Sequence, residues 1–476
     1  MLDRYVVVIT LLILGAPVVA ETTVIRDVTI IDIEGECLIP AQTVVMTDGV
    51  ISSVESKAAS ADADRTIDGA GKFLMPSLWD MHAHYSLKSE TKTTMPLLLA
   101  HGVTGVRIMS SEFVEEEPGD AWLEDYHRWR REVEDRTLVA PRIVAIATPA
   151  LNGRHTDVPD ELAFFKTTTE DEARQSVRYA AEQGCDLIKI YDNIPRAPLL
   201  ALLDEANKVG LHAGGHKPRA VGAVEASNAG MRTFEHARVL VYESWPGAAD
   251  LRKQAPRAPS FRQQRKMIAQ HDRETAKEII RTFVRNGTWM CPTHVTRMMD
   301  AYAGDARFRN DPRLQYISDE DRARWNRDAN QYVDKRRGST RRRDAYMAIF
   351  ELGLELTGLA DSMGVGILLG TDIGDSYVFP GSSTHQELEL LVKAGLSPVR
   401  ALRTGTLNPA LYLGLEEDYG TVQAGKKADL LLLSKNPLED IAHTRAIHTL
   451  FFNGKDYDAR ALESMKAKVI ELVEAL

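Results

Sequence analysis

Phe73 to Tyr85 reads FLMPSLWDMHAHY, an apolar run that ends on His82 and His84. Side chains at i and i+2 of a strand share a face, so both imidazoles can reach one point in space. That is a chelate geometry, and imidazole suits zinc and related first-row ions. Alone, the pair is weak evidence and reads more readily as two polar strand-end residues, because a catalytic ion needs further protein ligands and an open position for water. Candidate ligands follow in order: GCDLIKIY carries Lys189, LHAGGHKP carries His212 and His216, RTFEHA carries His236, and LLGTDIG carries Asp372. A lysine inside an apolar run is costly without a partner. Lys189 reads either as a snorkelling or ion-paired lysine or as one that has taken up carbon dioxide, becoming a carboxylate able to bridge two metal ions. Four imidazoles, that lysine and one carboxylate suffice for two ions about 3.5 to 4 Å apart.

Such a set needs a scaffold that brings distant strand ends to one place. Short apolar strands followed by amphipathic helices recur at Val103 to Met109, Arg142 to Thr148, Asp186 to Tyr191, Val209 to Gly214, Arg232 to Glu235, Thr288 to Thr293 and Val365 to Gly370. With the strand ending in His84 these make eight, which predicts an α/β fold of the (β/α)₈ TIM-barrel type with its reactive residues at the C-terminal strand ends. Thr22 to Ile33 alternates and is rich in β-branched residues, as do the pieces around Gln42 to Met46 and Val50 to Val54, with Asp48 and Gly49 as a hairpin turn. Ala428 to Leu433 and Ile447 to Phe452 give a second set of strands near the other end. The two ends are expected to meet in one small β-sandwich. The predicted organisation is residues 21–74 with 413–460 as that β-domain, 75–412 as the barrel, and 461–476 as a C-terminal helix.

Segment 251–343 is unusual. Basic residues far outnumber acidic ones there, although the chain carries a net charge of -10. Apart from the seventh strand it reads as a helical insertion, either a solvated face or a lid whose arginines attract anionic substrates. Overall, 44% hydrophobic and 26% charged residues describe a soluble globular enzyme, and the acidic balance argues against nucleic acid as a partner. Residues 1–20, MLDRYVVVITLLILGAPVVA, read as a secretory signal, too short in its apolar run for a stable membrane anchor. A periplasmic or secreted protein is expected. Cys37, Cys185 and Cys291 are too few for a disulfide framework and read as buried small apolar residues.

The pieces PSLWDMHAH, GCDLIKI, GGHKP, RTFEHA and LLGTD, with the closing GTVQAGKKADLLLLSKNPLEDI, resemble the amidohydrolase superfamily, in its imidazolonepropionase-like and prolidase-like (Xaa-Pro dipeptidase) branch. The resemblance covers nearly the whole chain after residue 20. It implies two divalent metal ions, with zinc expected, and a carboxylated lysine. His82, His84 and Asp372 would hold one ion, His216 and His236 the other, and Lys189 would bridge them. GLHAGGHKP aligns best with the family's pattern through His216; a different subgroup carries its ligand nearer the strand, which keeps His212 as the alternative. MPSLWD departs from the family's usual proline-glycine-leucine, changing the turn but no ligand.

The implied mechanism is amide hydrolysis. A metal-bridging hydroxide attacks a polarised carbonyl, and Asp372 accepts a proton and passes it to the leaving nitrogen. In the resembling prolidase-like enzymes a histidine after strand three and a tyrosine after strand four contact the substrate, which points to His155, with Arg154 beside it, and to Tyr191. Arg154 and its neighbours Asn152 and His155 equally suit a loop that caps itself. His294, in CPTHV at the seventh strand end, is a further candidate. The expected substrate is a dipeptide or an N-acyl amino acid with a free carboxylate, and a homo-oligomer is expected. The alternatives are a cyclic-amide hydrolase, a lactonase, a phosphotriesterase, a single-metal deaminase that dispenses with Lys189, or a metal-free binding protein.

Overall fold

A computed structural model describes residues 21–56, 63–335 and 340–475. The expected signal segment, residues 1–20, lies outside the described residues. The first strands are β1 (Thr22–Asp32), β2 (Cys37–Thr47), β3 (Val50–Glu55), β4 (Arg65–Asp68) and β5 (Phe73–Pro76). Asp48 and Gly49 both take positive φ, 48° and 79°, which gives β2 and β3 the tight hairpin that the sequence suggests. β1 pairs antiparallel with β2, while its other edge pairs parallel with β4 over Thr23 to Arg26 and then with β5 at Thr29 and Ile30. A register shift between Ile25 and Val28, with Asp27 at φ 56°, marks the change of neighbour.

The barrel strands follow: β6 (Leu78–Ala83), β7 (Val103–Ile108), β8 (Arg142–Ile146), β9 (Leu187–Ile190), β10 (His212–Gly215), β11 (Thr233–Glu235) and β12 (Trp289–Cys291). All pair parallel with their neighbours, as a ring of strand-then-helix units requires. Two seams close the ring. Thr148 donates its backbone N–H to Leu187 O at 3.1 Å, joining β8 to β9. The extended segment 365–373 supplies the eighth strand position: Leu368 donates to Met290 O on one side, while on the other Met81 donates to Leu369 O and Asp372 to His82 O, each at 2.8 Å.

After the barrel come β13 (Leu430–Leu433), β14 (Ile447–Phe452) and β15 (Lys455–Asp458). β13 pairs antiparallel with β5, so both chain ends share a sheet, as expected. That sheet is a single mixed one of eight strands, ordered β15-β14-β13-β5-β1-β2-β3 with β4 also on β1. It has its own core of Ile25, Val28, Val44, Ile67, Leu430 and Phe451 among others. The C-terminal helix, Ala459–Glu474, seats Val469 and Val473 against Leu97.

Among the described residues, the basic segment is mostly helical outside β12, with helices at Phe261–Ala269, Arg273–Asn286, His294–Tyr302 and Asp319–Lys335. Its Phe308 and Trp325 pack on Tyr377 and Phe379, which lie in the loop that follows Asp372. One cysteine departs from expectation: Cys37 is exposed at the start of β2, while Cys185 and Cys291 are buried. No helix among the described residues is long and apolar enough to cross a membrane.

Candidate metal centre

Apart from His212, each candidate ligand sits at or near the C-terminal end of a barrel strand. His82 is the penultimate residue of β6 and fully buried, and His84 follows it two residues on at intermediate exposure. Their ring centroids are 5.3 Å apart. Asp372 reaches both: its Oδ1 lies 3.2 Å from His82 Nε2 and 3.4 Å from His84 Nε2. Its Oδ2 lies 3.6 Å from His236 Nδ1. Burial alone would raise the Asp372 carboxyl, but His82, His236 and His84 hold it well below the usual carboxylate range.

The backbone is bent to achieve this. His236, Thr293 and Asp372 take φ of 66°, 46° and 64°, a region that non-glycine residues rarely occupy and that clusters at functional sites. Gly215 turns the chain after β10 at φ 142°, where a Cβ would lie 2.0 Å from Ile190 O. Only glycine fits there, and His216 is thereby delivered to the cavity with its N–H on Ile190 O at 2.9 Å.

The outer nitrogens decide what the inner ones can do. His82 Nδ1 lies 2.8 Å from Glu235 Oε2, and His216 Nδ1 lies 3.1 Å from Asp192 Oδ1. A carboxylate only accepts, so each Nδ1 carries the proton and each Nε2 presents a lone pair. His236 Nδ1 meets Thr293 Oγ1 at 2.7 Å, leaving its Nε2 just 2.9 Å from His216 Nε2. Lys189, at the inner end of β9, is 1% exposed, and its Nζ touches His82 Nε2 at 3.4 Å. Burial lowers its pKa. Convergent lone pairs, a carboxylate and a buried amine that burial drives toward neutrality form a donor set that fits divalent cations.

A model of the amidohydrolase family matches residues 73–456. The chain belongs to the amidohydrolase family. It is a hydrolase of carbon–nitrogen bonds, and amidohydrolases generally bind divalent metal ions. Ochratoxinase of Aspergillus niger is 39% identical over 80 residues, a stretch that spans only 16% of either chain. Among solved structures, a bottromycin amidohydrolase superposes with a TM-score of 0.72 at 22% identity, over 95% of this chain and 90% of that one. A Xaa-Pro dipeptidase with bound methionine in its active site gives 0.63 at 19% identity, over 92% and 100%. At these identities the structural likeness is one of fold.

The amidohydrolase cavity measures about 920 Å³, and His82, His84, Lys189, His216, His236 and Asp372 all line it. Tyr191 lines it too, its ring stacked on His216 at 3.9 Å. Arg154 and His155 do not: both are exposed and lie outside the cavity. Their loop closes on itself, with Asn152 donating its N–H to Thr156 Oγ1 at 2.7 Å and Thr156 donating to Gly153 O at 3.0 Å. Asn152 Oδ1 accepts from the Asn193 backbone N–H at 3.0 Å, tying the turn to the loop after β9. His212 opens β10 at the opposite end of the strand from His216, its ring 5.2 Å from Tyr412. His294 is buried and lines a separate, smaller pocket.

Two residues behind the ligands were not anticipated. Arg107, fully buried on β7, donates from its Nη2 to both oxygens of Glu235 at 2.9 Å. Burial would raise the Glu235 carboxyl, but Arg107 and His82 pull it down to about 2. An ionised Glu235 is what fixes the His82 tautomer. The available signal was an arginine in the apolar run GVTGVRIM, which demands a buried partner as Lys189 does.

Proposed function

We propose that this amidohydrolase holds two divalent ions, zinc by the chemistry of the donors, and cleaves a dipeptide or an N-acyl amino acid with a free carboxylate. The observation that carries the reading is the convergence of the His82, His216 and His236 Nε2 atoms, Asp372 and the buried Lys189 on one cavity. His82, His84 and Asp372 would hold one ion, His216 and His236 the other, with Lys189 bridging as its carboxylated form. Bound there, the ions would polarise the scissile carbonyl and acidify a water molecule.

The chain's own groups do the rest. Asp372 faces three imidazoles within 3.6 Å, and as an ionised carboxylate it can take a proton from the attacking water and return it to the leaving nitrogen. Glu235 and Asp192 keep the His82 and His216 rings oriented throughout. Tyr191 is positioned to contact the substrate beside His216. Lys217, Arg219, Arg257 and Arg297 line the cavity, and guanidinium groups match a free carboxylate. Residues 1–20 are proposed to export the protein.

The test is hydrolysis of a panel of dipeptides, Xaa-Pro members included, together with N-acyl amino acids and their carboxyl-blocked esters or amides. Release of free amino acid from unblocked members, and little from blocked ones, is expected. A zinc-loaded enzyme that cleaves no member, or cleaves blocked and unblocked members alike, would refute the substrate reading.

A further inference from the structure

One side chain joins three of the loops around the metal cavity. Arg219 lies three residues beyond His216, in the loop after β10, and it lines the cavity. Its backbone N–H donates to Asp192 O at 2.8 Å, which draws the loops after β9 and β10 together. The guanidinium reaches further. Its Nη2 donates to Asp192 Oδ2, while its Nη1 donates to Asn193 Oδ1 at 3.0 Å and to Pro256 O at 2.6 Å. Nη1 carries two protons, and those two acceptors take both.

Asp192 carries this arrangement to the candidate ligands. Its other oxygen, Oδ1, accepts from His216 Nδ1 at 3.1 Å. A carboxylate is planar, so whatever holds Oδ2 also sets the direction of Oδ1 and with it the His216 ring. The guanidinium is a rigid fork as well, and its Nη1 and Nη2 contacts cannot be adjusted independently. His216, Asp192, Arg219 and Pro256 therefore form one hydrogen-bonded line from a candidate metal ligand to the wall of the cavity.

Pro256 belongs to the long connection between β11 and β12, whose Arg257, Ala258 and Pro259 line the cavity. Burial does little to hold that stretch, because Lys253, Gln254, Pro256, Arg257 and Ala258 are all exposed. Among the described residues its other side-chain hydrogen bonds stay within the same connection. Gln254 Oε1 accepts from Gln263 Nε2 at 2.9 Å, Pro259 O accepts from Gln264 Nε2 at 3.3 Å, and Lys253 Nζ donates to Asp250 Oδ1 at 2.9 Å. The bond from Arg219 ties the stretch to the loops of the neighbouring strands.

We propose that Arg219 is a positioning residue: it sets His216 through Asp192, and with the same guanidinium it seats residues 253–259 as cavity wall. The first half rests on the metal reading above; the second does not.

The experiment reads both halves without recourse to hydrolysis. Zinc affinity is measured by competition with a chromophoric chelator, and backbone exchange over residues 253–259 by hydrogen–deuterium mass spectrometry, in the wild type, Arg219→Met and Arg219→Lys. Methionine keeps an unbranched stem and no donor. In Arg219→Met one ion should bind about tenfold less tightly, the lower end of what losing a ligand's outer partner costs. Exchange over 253–259 should also quicken about tenfold, the factor for one hydrogen bond from a charged donor. Lysine offers an ammonium to Asp192 but no fork to span Asn193 and Pro256, so Arg219→Lys should recover zinc affinity to within about threefold of wild type while keeping the fast exchange.

Wild-type zinc affinity or wild-type exchange in Arg219→Met would overturn the proposal, as would an Arg219→Lys variant that binds zinc no better than Arg219→Met. A raised KM for carboxylate substrates, with zinc affinity and exchange both unchanged, would make Arg219 a substrate ligand instead and overturn it too. Should the wild type bind no zinc, the metal reading fails and takes the His216 half with it, while exchange over 253–259 still decides the wall.

Discussion

His216 and His236 face one another with their Nε2 atoms 2.9 Å apart. Asp192 holds the Nδ1 proton of His216, and Thr293 occupies the Nδ1 side of His236. Burial lowers the pKa of both rings, so adding a proton between them is disfavoured. Without metal, a proton on His236 Nε2 can be donated to the His216 Nε2 lone pair; with His236 protonated on Nδ1 instead, both lone pairs are turned to one place, which would suit a divalent cation.

Removing metal should therefore destabilise the protein as well as silence it. Dialysis against a chelator is expected to lower Tm, and zinc to restore it. Ligand binding to the folded state alone contributes about 2.7 kcal/mol at a free concentration of 100 Kd. A Tm that does not respond to chelator or to zinc would count against a preformed metal centre.

Arg107 and Glu235 form a buried ion pair behind the ligands. Arg107→Met strands the Glu235 carboxylate in the barrel core, and breaking such a pair typically costs about 3 to 5 kcal/mol. Its consequence for function runs through His82: metal affinity should fall about 10- to 100-fold, as loss of a ligand's hydrogen-bond partner does elsewhere. Urea denaturation and a zinc competition titration on the folded variant measure the two effects separately. Wild-type values in both would remove Arg107 and Glu235 from the account.

Glu387 sits on the helix Ser382–Ala394, fully buried, where it accepts the backbone N–H groups of His294 and Val295 at 2.8 and 2.7 Å. Burial outweighs those bonds and raises its carboxyl from 4.5 to about 8. Between those two values the unfolded chain has released this proton and the folded one retains it. Proton binding then favours the folded state progressively less as pH rises, so this group's contribution to stability falls across that window. The denaturation free energy should drop on the order of a few kcal/mol between about pH 5 and pH 8 from this source, and Glu387→Gln should flatten the profile. A variant whose pH profile overlays the wild type would contradict the assignment.

That His82, His84, Lys189, His216, His236 and Asp372 would share one rim was legible because barrel geometry makes it so: apolar runs that end in histidine, lysine or aspartate place those groups together. The shared β-domain was legible too, from alternation near both ends. What spacing could not reveal was pairing across the barrel. Arg107 and Glu235 are 128 residues apart, and only the closed ring brings them together. Arg154 and His155 failed for the opposite reason. Their loop is governed by short-range bonds among Asn152, Gly153 and Thr156, which turn it away from the cavity. Cys37 lies at the exposed start of β2, where a small apolar residue has no core to join.

That difference in placement gives a direct contrast. Tyr191→Phe, at the cavity wall, should raise KM about tenfold with a smaller change in kcat if its hydroxyl contacts the substrate. Arg154→Ala and His155→Ala, outside the cavity, should leave both parameters within about twofold of wild type. Steady-state kinetics on the best substrate of the panel measures all three. A strong KM effect at Arg154 with none at Tyr191 would reverse the assignment.

The proposed centre is a pair of ions held by six residues, Lys189 among them. The metal-to-protein ratio of the purified enzyme, set beside that of Lys189→Ala, tests it most directly. About two ions per chain in the wild type, falling to one or none with loss of activity in the variant, is the predicted result. A wild type that is fully active with a single ion, or a Lys189→Ala variant that keeps two ions and full activity, would contradict it.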